Sequence, residues 1–250
     1  MIKVGIIGGS GLDDPKLLHH AEEHHISTPF GEPSSPLTIG SIEGREVVIL
    51  ARHGKQHTIP PTQINNRANI HALKSQNCTH ILATAACGSL REEIHRGDIV
   101  ILDQFIDFTR FRTVTFYDAF PGGAENAKHT PMADPFNKQL RQNLITNTKE
   151  QGLKVHDRGT VITIEGPRFS TRAESHMFRI WGADVVNMTV APEVALANEY
   201  QIPYAAVAIS TDYDCWKTDE APVEWSEVLT IFQKNVEHVK RLLLKTILTI

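Results

Sequence analysis

The stretch YAAVAISTDYD (Tyr204 to Asp214) begins as an uninterrupted apolar run and ends on two acids that lie two residues apart. A short run rich in Ala, Val and Ile, without alternation, is typical of a strand that is buried on both faces. Because successive side chains of an extended chain point to opposite sides, Asp212 and Asp214 should project to the same side. The pattern predicts a buried strand with paired carboxyl groups at its end.

Similar apolar runs recur along the chain, and segments with helical periodicity lie between several of them. The runs are KVGII, VVIL at 47–50, HILATAA, DIVILDQFI, VITIEG and DVVNM, and the helical segments include NNRANIHALKS, DPFNKQLRQNLITNTKEQG, TRAESHMFRIWGA and WSEVLTIFQKNVEHVKRLLLKTIL. Strands that alternate with helices predict an α/β fold with a mostly parallel core. We expect residues 1–250 to form one domain, with a long surface loop at 111–129.

The composition narrows the classes of function. The chain has 25 Lys and Arg against 29 Asp and Glu, a formal net charge of −4. This charge argues against nucleic acid as a partner, since nucleic-acid-binding proteins usually carry a basic excess. No apolar run reaches the ~18 residues that a membrane-spanning helix needs, and MIKVGIIGGSG does not have the pattern of a signal peptide. We expect a cytoplasmic protein without a membrane partner.

Cysteine and histidine do not indicate a structural bridge or a metal site. The three cysteines, Cys78, Cys87 and Cys215, are scattered and include no CxxC motif, so a reduced compartment is expected. Neighbouring histidines at 19–20 and 24–25 have no second motif beside them. We interpret them as a solvated helix face, with metal binding as the less favoured alternative.

The residues that follow the carboxyl ends of the first predicted strands, here called strand exits, carry groups that suit an anion. GIIGGSG at 5–11 is a strand followed by a glycine turn with Ser10, whose backbone N–H groups and hydroxyl could hold an anion; a plain tight turn is the alternative. LARHGKQH at 50–57 offers the planar fork of Arg52 and a second donor from His53. A surface arginine with a capping histidine explains the same residues.

Three further exits carry small, aromatic and polar residues. In ATAACGSL, Ala85 and Ala86 let a ligand approach the backbone, although tight packing explains them equally well. In TIEGPRFSTRAE, Ser170 or Thr171 predicts a helix N-cap, which leaves the exposed Phe169 unexplained unless it stacks on a planar base. NMTVAPE offers Asn187, Met188 and Thr189. Six strand exits with ligand groups match the place where open α/β sheets bind ligands.

These blocks together resemble a known family. GGSG, ARHG, TAACGSLREEI, GDIVILDQFID, TIEGPRFSTRAESHMFR, WGADVVNMT and TDYDCWK occur in this order, as in the 5′-methylthioadenosine phosphorylases of the trimeric purine nucleoside phosphorylase family. The resemblance extends to about Leu244. It implies an α/β fold with a central, mixed, partly barrel-like sheet flanked by helices, assembled as a homotrimer.

The resemblance also implies roles for single residues. The positions implied to bind phosphate are Ser10, Arg52, His53, Ala85, Ala86 and Thr189; Ala85 stands where many relatives have a threonine. Those implied to bind the nucleoside are Phe169 on the base, Asn187, Met188 under the ribose, Asp212, Asp214 and, in a neighbouring subunit's site, His129. Positions that shape specificity are Ser170, Trp225, Val228 and Leu229; Trp225 is larger than the usual residue.

The paired acids then acquire a chemical role. The departing purine leaves readily only if a nitrogen of its five-membered ring gains a proton, and a protonated Asp212 is expected to supply it as general acid. Asp214 supports Asp212 and contacts the 6-amino group. Two close carboxyls disfavour double ionisation, which helps to hold one proton near neutrality. Relatives specific for 6-oxopurines have Asn in place of Asp212 and Glu in place of Ser170, so this sequence has the 6-amino set.

The expected function is phosphorolysis of 5′-methylthioadenosine to adenine and 5-methylthioribose 1-phosphate, with no metal and no organic cofactor because phosphate is a co-substrate. A broader adenosine or 5′-methylthioinosine phosphorylase is the alternative. A binding protein without turnover fits the retained Asp212, Arg52 and His53 less well, and a hydrolase leaves the anion donors without a purpose. Relatives that strongly prefer the methylthio group usually continue past the final helix, whereas this sequence ends at Ile250, so we expect a limited preference over adenosine.

Overall fold

A large mixed β-sheet forms the centre of the computed structural model, which describes residues 2–8, 18–220 and 224–250. Within these ranges the sheet has eleven strands. They are β1 Lys3–Gly8, β2 His19–His24, β3 Leu37–Ile42, β4 Arg45–Ala51, β5 His80–Ser89, β6 Ile99–Ile101, β7 Gln104–Phe108, β8 Val155–His156, β9 Thr160–Ile164, β10 Val185–Asn187 and β11 Tyr204–Asp212.

Five α-helices flank the sheet in the described part of the chain: α1 Asn66–Ser75, α2 Lys138–Glu150, α3 Arg172–Ile180, α4 Val190–Glu199 and α5 Trp225–Thr249. The predicted cap of α3 is present, because Thr171 and Glu174 form a reciprocal capping box. Helix α4 was not predicted. Its residues are buried on nearly all sides, so its sequence lacks the polar stripe that reveals a surface helix. None of the described helices is long and apolar enough to cross a membrane.

The sheet branches at β5, its central strand. One edge of β5 pairs with β1 in parallel and, at Gly88 and Ser89, with β10 in antiparallel; the other edge pairs in parallel with β11. One arm continues from β10 to β9 and β7, and the other from β11 to β6 and β8. Since the chain passes from β6 to β7 through only two residues, the two arms curve toward each other, as expected for a partly barrel-like sheet.

Helices cover both faces of the sheet, which explains why the strand sequences do not alternate. Along β11, Ala206 and Ala208 face the cluster that contains α1 and α4, while Ala205, Val207 and Ile209 face the cluster that contains α2 and α5. Both sets are fully buried. Burial of each Val or Ile side chain contributes about 1.5–3 kcal/mol to folding, so the apolar run that predicted this strand is also what holds the layers together.

Two details differ from the sequence-based expectations. The run DIVILDQFI forms two strands, β6 and β7, which turn into different arms of the sheet. The neighbouring histidines at 19–20 and 24–25 lie in or next to β2, an exposed strand paired with β3, and not on a helix. The core is mostly parallel, as predicted, since six of the ten strand pairings in the described residues are parallel; β10 and β6 run against their neighbours β5 and β11.

Candidate active site

A cavity of about 650 Å³ lies where β4, β5, β10 and β11 end. This is the side of the sheet on which open α/β folds bind ligands. Every predicted site residue lines this cavity except Ser10, which lies outside the described residues, and His129, which lies elsewhere. The strand exits named in the sequence analysis therefore meet at one place.

Arg52 is buried at one end of this cavity, with only 2% of its surface exposed. Its Nε and Nη2 donate to the two carboxylate oxygens of Glu193 in α4, with 3.0 Å between Nη2 and Oε2. Nη1 donates to the carbonyl oxygen of Thr84 at 2.8 Å. The hydroxyl of Tyr204 donates to Oε2 of the same glutamate at 2.9 Å. Burial favours the neutral guanidine, but the charge and the hydrogen bonds of Glu193, with a further contribution from Tyr204, together outweigh burial and raise the pKa of Arg52.

The paired state of Arg52 changes what it can offer to an anion. The sequence predicts a free planar fork, whereas Glu193 occupies that fork in the structure. A guanidinium has five N–H groups, and three take part in these bonds. One N–H on each terminal nitrogen is left without a partner among the described residues, so Arg52 offers two separate donors.

His53 lines the cavity next to Arg52, and its ring is fixed from two sides. Its Nδ1 lies 2.9 Å from the carbonyl oxygen of Ile59, and its ring stacks on His57 at a centroid distance of 4.4 Å. Burial and the charge of Arg52 lower the pKa of His53 to about 4. The ring proton predicted for an anion is therefore directed at Ile59.

Small residues of β5 and the N-cap residue of α4 form the wall beside Arg52. Ala85 and Ala86 line the cavity, as does Thr84, whose buried hydroxyl has no partner in the described chain. Thr189 is the N-cap of α4, yet its side chain makes no capping bond. Its hydroxyl and the amino end of a ten-residue helix thus lie beside the cavity, an arrangement that favours negative charge.

Asn187 and Met188 follow β10 and are held in place by a polar network. The side-chain oxygen of Asn187 accepts bonds from the hydroxyl of Thr163 at 2.7 Å and from the backbone of Thr189 at 3.3 Å. Its amide nitrogen, buried at the cavity wall, has no partner in the described residues. Arg112, from the long loop, donates to the carbonyl oxygen of Met188 at 2.5 Å.

Asp212 and Asp214 lie together at the opposite end, on a turn and not on one extended strand. Asp212 is the last residue of β11, and Asp214 follows in a left-handed backbone conformation with φ of +49°. The backbone N–H of Asp214 donates to Oδ1 of Asp212 at 2.8 Å, and the hydroxyl of Thr211 donates to Oδ2 at 2.8 Å. Both acids line the cavity, as predicted, but through the turn rather than through strand alternation.

Burial sets the protonation of this pair. It raises the pKa of Asp212 above its ordinary value, although the bonds from Asp214 and Thr211 oppose the change. It also raises the pKa of Asp214 to about 6, and the charge of Asp212 adds to the effect. The hydroxyls of Ser175 and Ser170 act on the carboxyl of Asp214 in the opposite direction. Because Asp214 and Ser170 both line the cavity, this end offers polar groups to a ligand.

An aromatic and apolar lining connects the two ends. Phe169 is partly exposed where the chain leaves β9, and Val228 and Leu229 lie in the first turns of α5. Trp225 begins α5 at the rim, with half of its surface exposed. Its ring lies 5.8 Å from that of His57, which in turn stacks on His53. A row of three rings therefore extends from His53 to the rim.

His129 lies outside this cavity. It borders a second, more polar cavity together with Lys128 and Asp134, and its ring packs edge-on against Phe120 at 5.7 Å. A single subunit does not bring His129 to the other predicted site residues, which agrees with the implied role at a neighbour's site but does not test it.

Sequence reasoning missed three residues that position the residues of the site: Glu193, Arg112 and His57. Glu193 is an acid in the apolar stretch VAPEVALA, a signal that predicts a buried and paired charge. Arg112 and His57 carry no comparable signal, because their roles depend on contacts between distant loops. Among the described residues, no group of three or more His, Cys, Asp and Glu side chains is arranged to hold a metal ion.

Comparison with known families gives a match over almost the whole chain. The family model described as the phosphorylase superfamily matches residues 3–248. Among curated proteins, S-methyl-5′-thioadenosine phosphorylase from Xenopus tropicalis is 56% identical over 98% of this chain and 88% of its own length. The protein of the same name from Drosophila melanogaster is 49% identical over 98% of this chain and 85% of its own length.

Solved structures give the same result for the fold. Methylthioadenosine phosphorylase from Schistosoma mansoni in complex with adenine superposes with a TM-score of 0.93 at 46% identity, over all of this chain and 92% of that chain. A variant of the adenosine/methylthioadenosine phosphorylase of the same organism, in complex with methylthioadenosine, gives a TM-score of 0.92 at 45% identity, over all of this chain and 91% of that one.

Proposed function

The chain belongs to the phosphorylase superfamily, and we propose that it catalyses the phosphorolysis of 5′-methylthioadenosine to adenine and 5-methylthioribose 1-phosphate. The observation that carries this function is that one cavity joins the donors around Arg52 to the buried pair Asp212 and Asp214. A phosphorolytic enzyme needs an anion site and a proton source on opposite sides of the bond that breaks.

Phosphate is proposed to bind at the Arg52 end. The two unused N–H groups of Arg52, the hydroxyls of Ser10 and Thr189, and the backbone beside Ala85 and Ala86 supply the donors. From this position a phosphate oxygen attacks the anomeric carbon on the face opposite the base. The carbon–nitrogen bond breaks as the carbon–oxygen bond forms, and its electron pair goes to the purine.

The purine is proposed to lie at the other end, between Phe169 and the acid pair. One carboxyl must donate a proton to the leaving ring nitrogen, while the other must be ionised to accept from the 6-amino group. A singly protonated pair supplies both functions, and the raised pKa values of Asp212 and Asp214 favour that state. We assign the acid to Asp212 and the contact with the 6-amino group to Asp214, with Ser170 beside them.

The rest of the lining suits the sugar and its 5′ substituent. Met188 and Asn187 are proposed to contact the ribose, and Val228, Leu229 and Trp225 to surround the 5′-methylthio group. No metal or organic cofactor is part of the proposal, since acid–base chemistry and an anionic nucleophile complete the bond changes. A cytoplasmic location is also proposed, and the three free cysteines support a reducing compartment.

A homotrimer, the assembly implied by the resemblance, is proposed with a site shared between subunits. Phe111 is 88% exposed and Ile180 84% exposed, and the contact between Phe108 and Trp181 brings their segments together. Exposed apolar residues that cluster in this way favour contact with another chain. His129, which lies away from its own subunit's cavity, is proposed to reach the cavity of the neighbour.

A broader adenosine phosphorylase is the second candidate. The Schistosoma mansoni neighbour is described as acting on both adenosine and methylthioadenosine, and the half-exposed Trp225 leaves the 5′ rim open to solvent. The test is the release of adenine or hypoxanthine from 5′-methylthioadenosine, adenosine and 5′-methylthioinosine, each with and without phosphate. Adenine released only with phosphate, fastest from 5′-methylthioadenosine, is expected. Release without phosphate, or none from any nucleoside, would exclude phosphorolysis.

A further inference from the structure

We infer that His53 accepts a hydrogen bond at the phosphate site instead of donating one, so that the site selects oxyanions that carry a proton. The inference rests on the proposed function, in which phosphate binds beside Arg52. It assigns His53 as a residue that determines specificity for the anion, whereas the sequence predicts only a second donor.

The hydrogen bond to Ile59 determines which ring nitrogen carries the proton. A backbone carbonyl oxygen only accepts, so Nδ1, which lies 2.9 Å from that oxygen, must carry hydrogen. In a neutral imidazole the other nitrogen, Nε2, then has a free lone pair. The ring of His57 stacks on the imidazole of His53, with 23° between the two planes. This contact limits a flip of the His53 ring that would exchange the positions of Nδ1 and Nε2.

The charges around His53 oppose a second proton on the ring. Arg52 adjoins it, Arg112 acts on it from the long loop, and His57 stacks against it. Glu193 and Glu165 are already paired with the two arginines. Together with burial, these charges lower the pKa of His53 to about 4. The ring is therefore neutral at pH 7.

Phosphate suits this acceptor. At neutral pH inorganic phosphate carries at least one P–OH group, which can donate to Nε2 of His53. Its deprotonated oxygens then face the N–H groups of Arg52 and the other donors, and one of them is free to attack. Sulfate has nearly the same size and shape, but it carries no proton and would place an oxygen lone pair against that of Nε2.

The test compares these two anions on the whole enzyme by calorimetry between pH 7.5 and pH 5.5. We expect sulfate to bind at least 100-fold more weakly than phosphate at pH 7.5. Because sulfate needs a protonated His53, its affinity should rise about tenfold for each pH unit lowered in this range, whereas phosphate should show no such rise. Equal affinities at pH 7.5, or sulfate binding independent of pH, would overturn the inference.

Two variants test whether the pH dependence of sulfate binding arises from His53. In His53→Gln a side-chain amide can donate where Nε2 lies, so sulfate should bind more tightly than to the wild type at pH 7.5, and without the rise at low pH. His57→Phe keeps a stacking ring next to His53 and is the matched control, in which the rise should persist. A rise that survives in His53→Gln, or disappears only in His57→Phe, would contradict the role of His53.

Histidine nitrogen NMR gives a readout that does not depend on activity. We expect the His53 signal, identified by its loss in His53→Gln, to show a proton on Nδ1 and none on Nε2 with phosphate bound at pH 7.5. A proton on Nε2 would overturn the inference even in a fully active enzyme. Conversely, an enzyme without phosphate-dependent adenine release that kept this anion selectivity would refute the proposed function and leave the inference standing.

Discussion

Glu193 neutralises Arg52 inside the protein, at the end of the cavity that we propose for phosphate. Nη2 of Arg52 lies 3.0 Å from Oε2 of Glu193, and the side chains of the two residues are 2% and 0% exposed. A buried ion pair of this kind is costly to break, because removal of one partner leaves an uncompensated charge. Arg52 thus serves both the stability of the fold and the proposed binding of phosphate.

The two roles of Arg52 can be separated by a pair of variants. Arg52→Met should lower the free energy of unfolding by about 3–5 kcal/mol, since Glu193 is left buried and charged. The double variant Arg52→Met/Glu193→Leu should regain most of this loss. In both, the KM for phosphate should rise far more than that for the nucleoside, because a charged donor worth about 1.5–3 kcal/mol is missing. Urea unfolding and steady-state kinetics measure the two effects, and an unchanged KM for phosphate would place the anion elsewhere.

Replacement of Asp212 should discriminate between classes of base. Asp212→Asn should reduce kcat/KM for 6-amino nucleosides by about two to four powers of ten, the range of general acid–base effects. Activity on 6-oxo nucleosides should fall much less, since the amide can both donate and accept. The measurement is kcat/KM for adenosine and inosine in the wild type and the variant, and equal losses on both would mean that Asp212 does not discriminate between the bases and would leave that role to Asp214.

The ionised carboxylate of Asp214 should lower the free energy of unfolding at pH values above its pKa. The fold raises the pKa of Asp214 from 3.8 to about 6, so it favours the neutral carboxyl. The stability associated with that form is present below pH 3.8 and is lost as the pH rises through 6. Asp214→Asn should therefore be more stable than the wild type by up to about 3 kcal/mol at pH 8, with a difference near zero at pH 4. Urea unfolding at both pH values measures this.

A matched control for that experiment is Asp219→Asn, because Asp219 is an exposed acid a few residues further along the chain. Its unfolding free energy should change little at either pH. If Asp214→Asn also showed the same difference at pH 4 and pH 8, burial of the Asp214 charge would not be the cause.

Trp225 should contribute to a modest preference for the 5′-methylthio group over the 5′-hydroxyl group. An apolar pocket rejects a hydroxyl only modestly, and Trp225 is half exposed at the rim above the buried Val228. We expect kcat/KM for 5′-methylthioadenosine to exceed that for adenosine by roughly ten- to a few hundred-fold. Trp225→Ala should reduce this ratio several-fold by admitting water. A wild-type ratio near one would favour the general adenosine phosphorylase, and an unchanged ratio in the variant would remove Trp225 from specificity.

His129 should act on a neighbouring subunit. If so, co-expression of Asp212→Asn with His129→Ala should give mixed oligomers in which some sites contain both native residues. Their specific activity should exceed that of either variant alone. Sedimentation should show a trimer, and a fully active monomer would end the proposal. Activity of the mixture equal to the mean of the two variants would place His129 and Asp212 in the same subunit's site or remove His129 from catalysis.

Several features followed from the sequence alone, for physical reasons that act locally. The apolar run at β11 predicted a strand buried on both faces, and helices do cover both of its sides. Ser170 or Thr171 was predicted as the N-cap of α3, and Thr171 is the cap, in a capping box with Glu174. Polar groups at successive strand exits predicted a common site, because strands of one sheet end near each other. The resemblance of ordered motifs then indicated the family, which the comparisons confirm.

Only the tertiary structure decided how these residues are charged and oriented. Glu193 follows Arg52 by 141 residues, so no local pattern could pair them. The tautomer of His53 depends on the carbonyl of Ile59, and the approach of Asp214 to Asp212 depends on a left-handed turn that sequence alternation does not predict. Sequence determines which groups are available at a strand end. Burial and long-range contacts determine which of them hold a proton, a charge or a free lone pair.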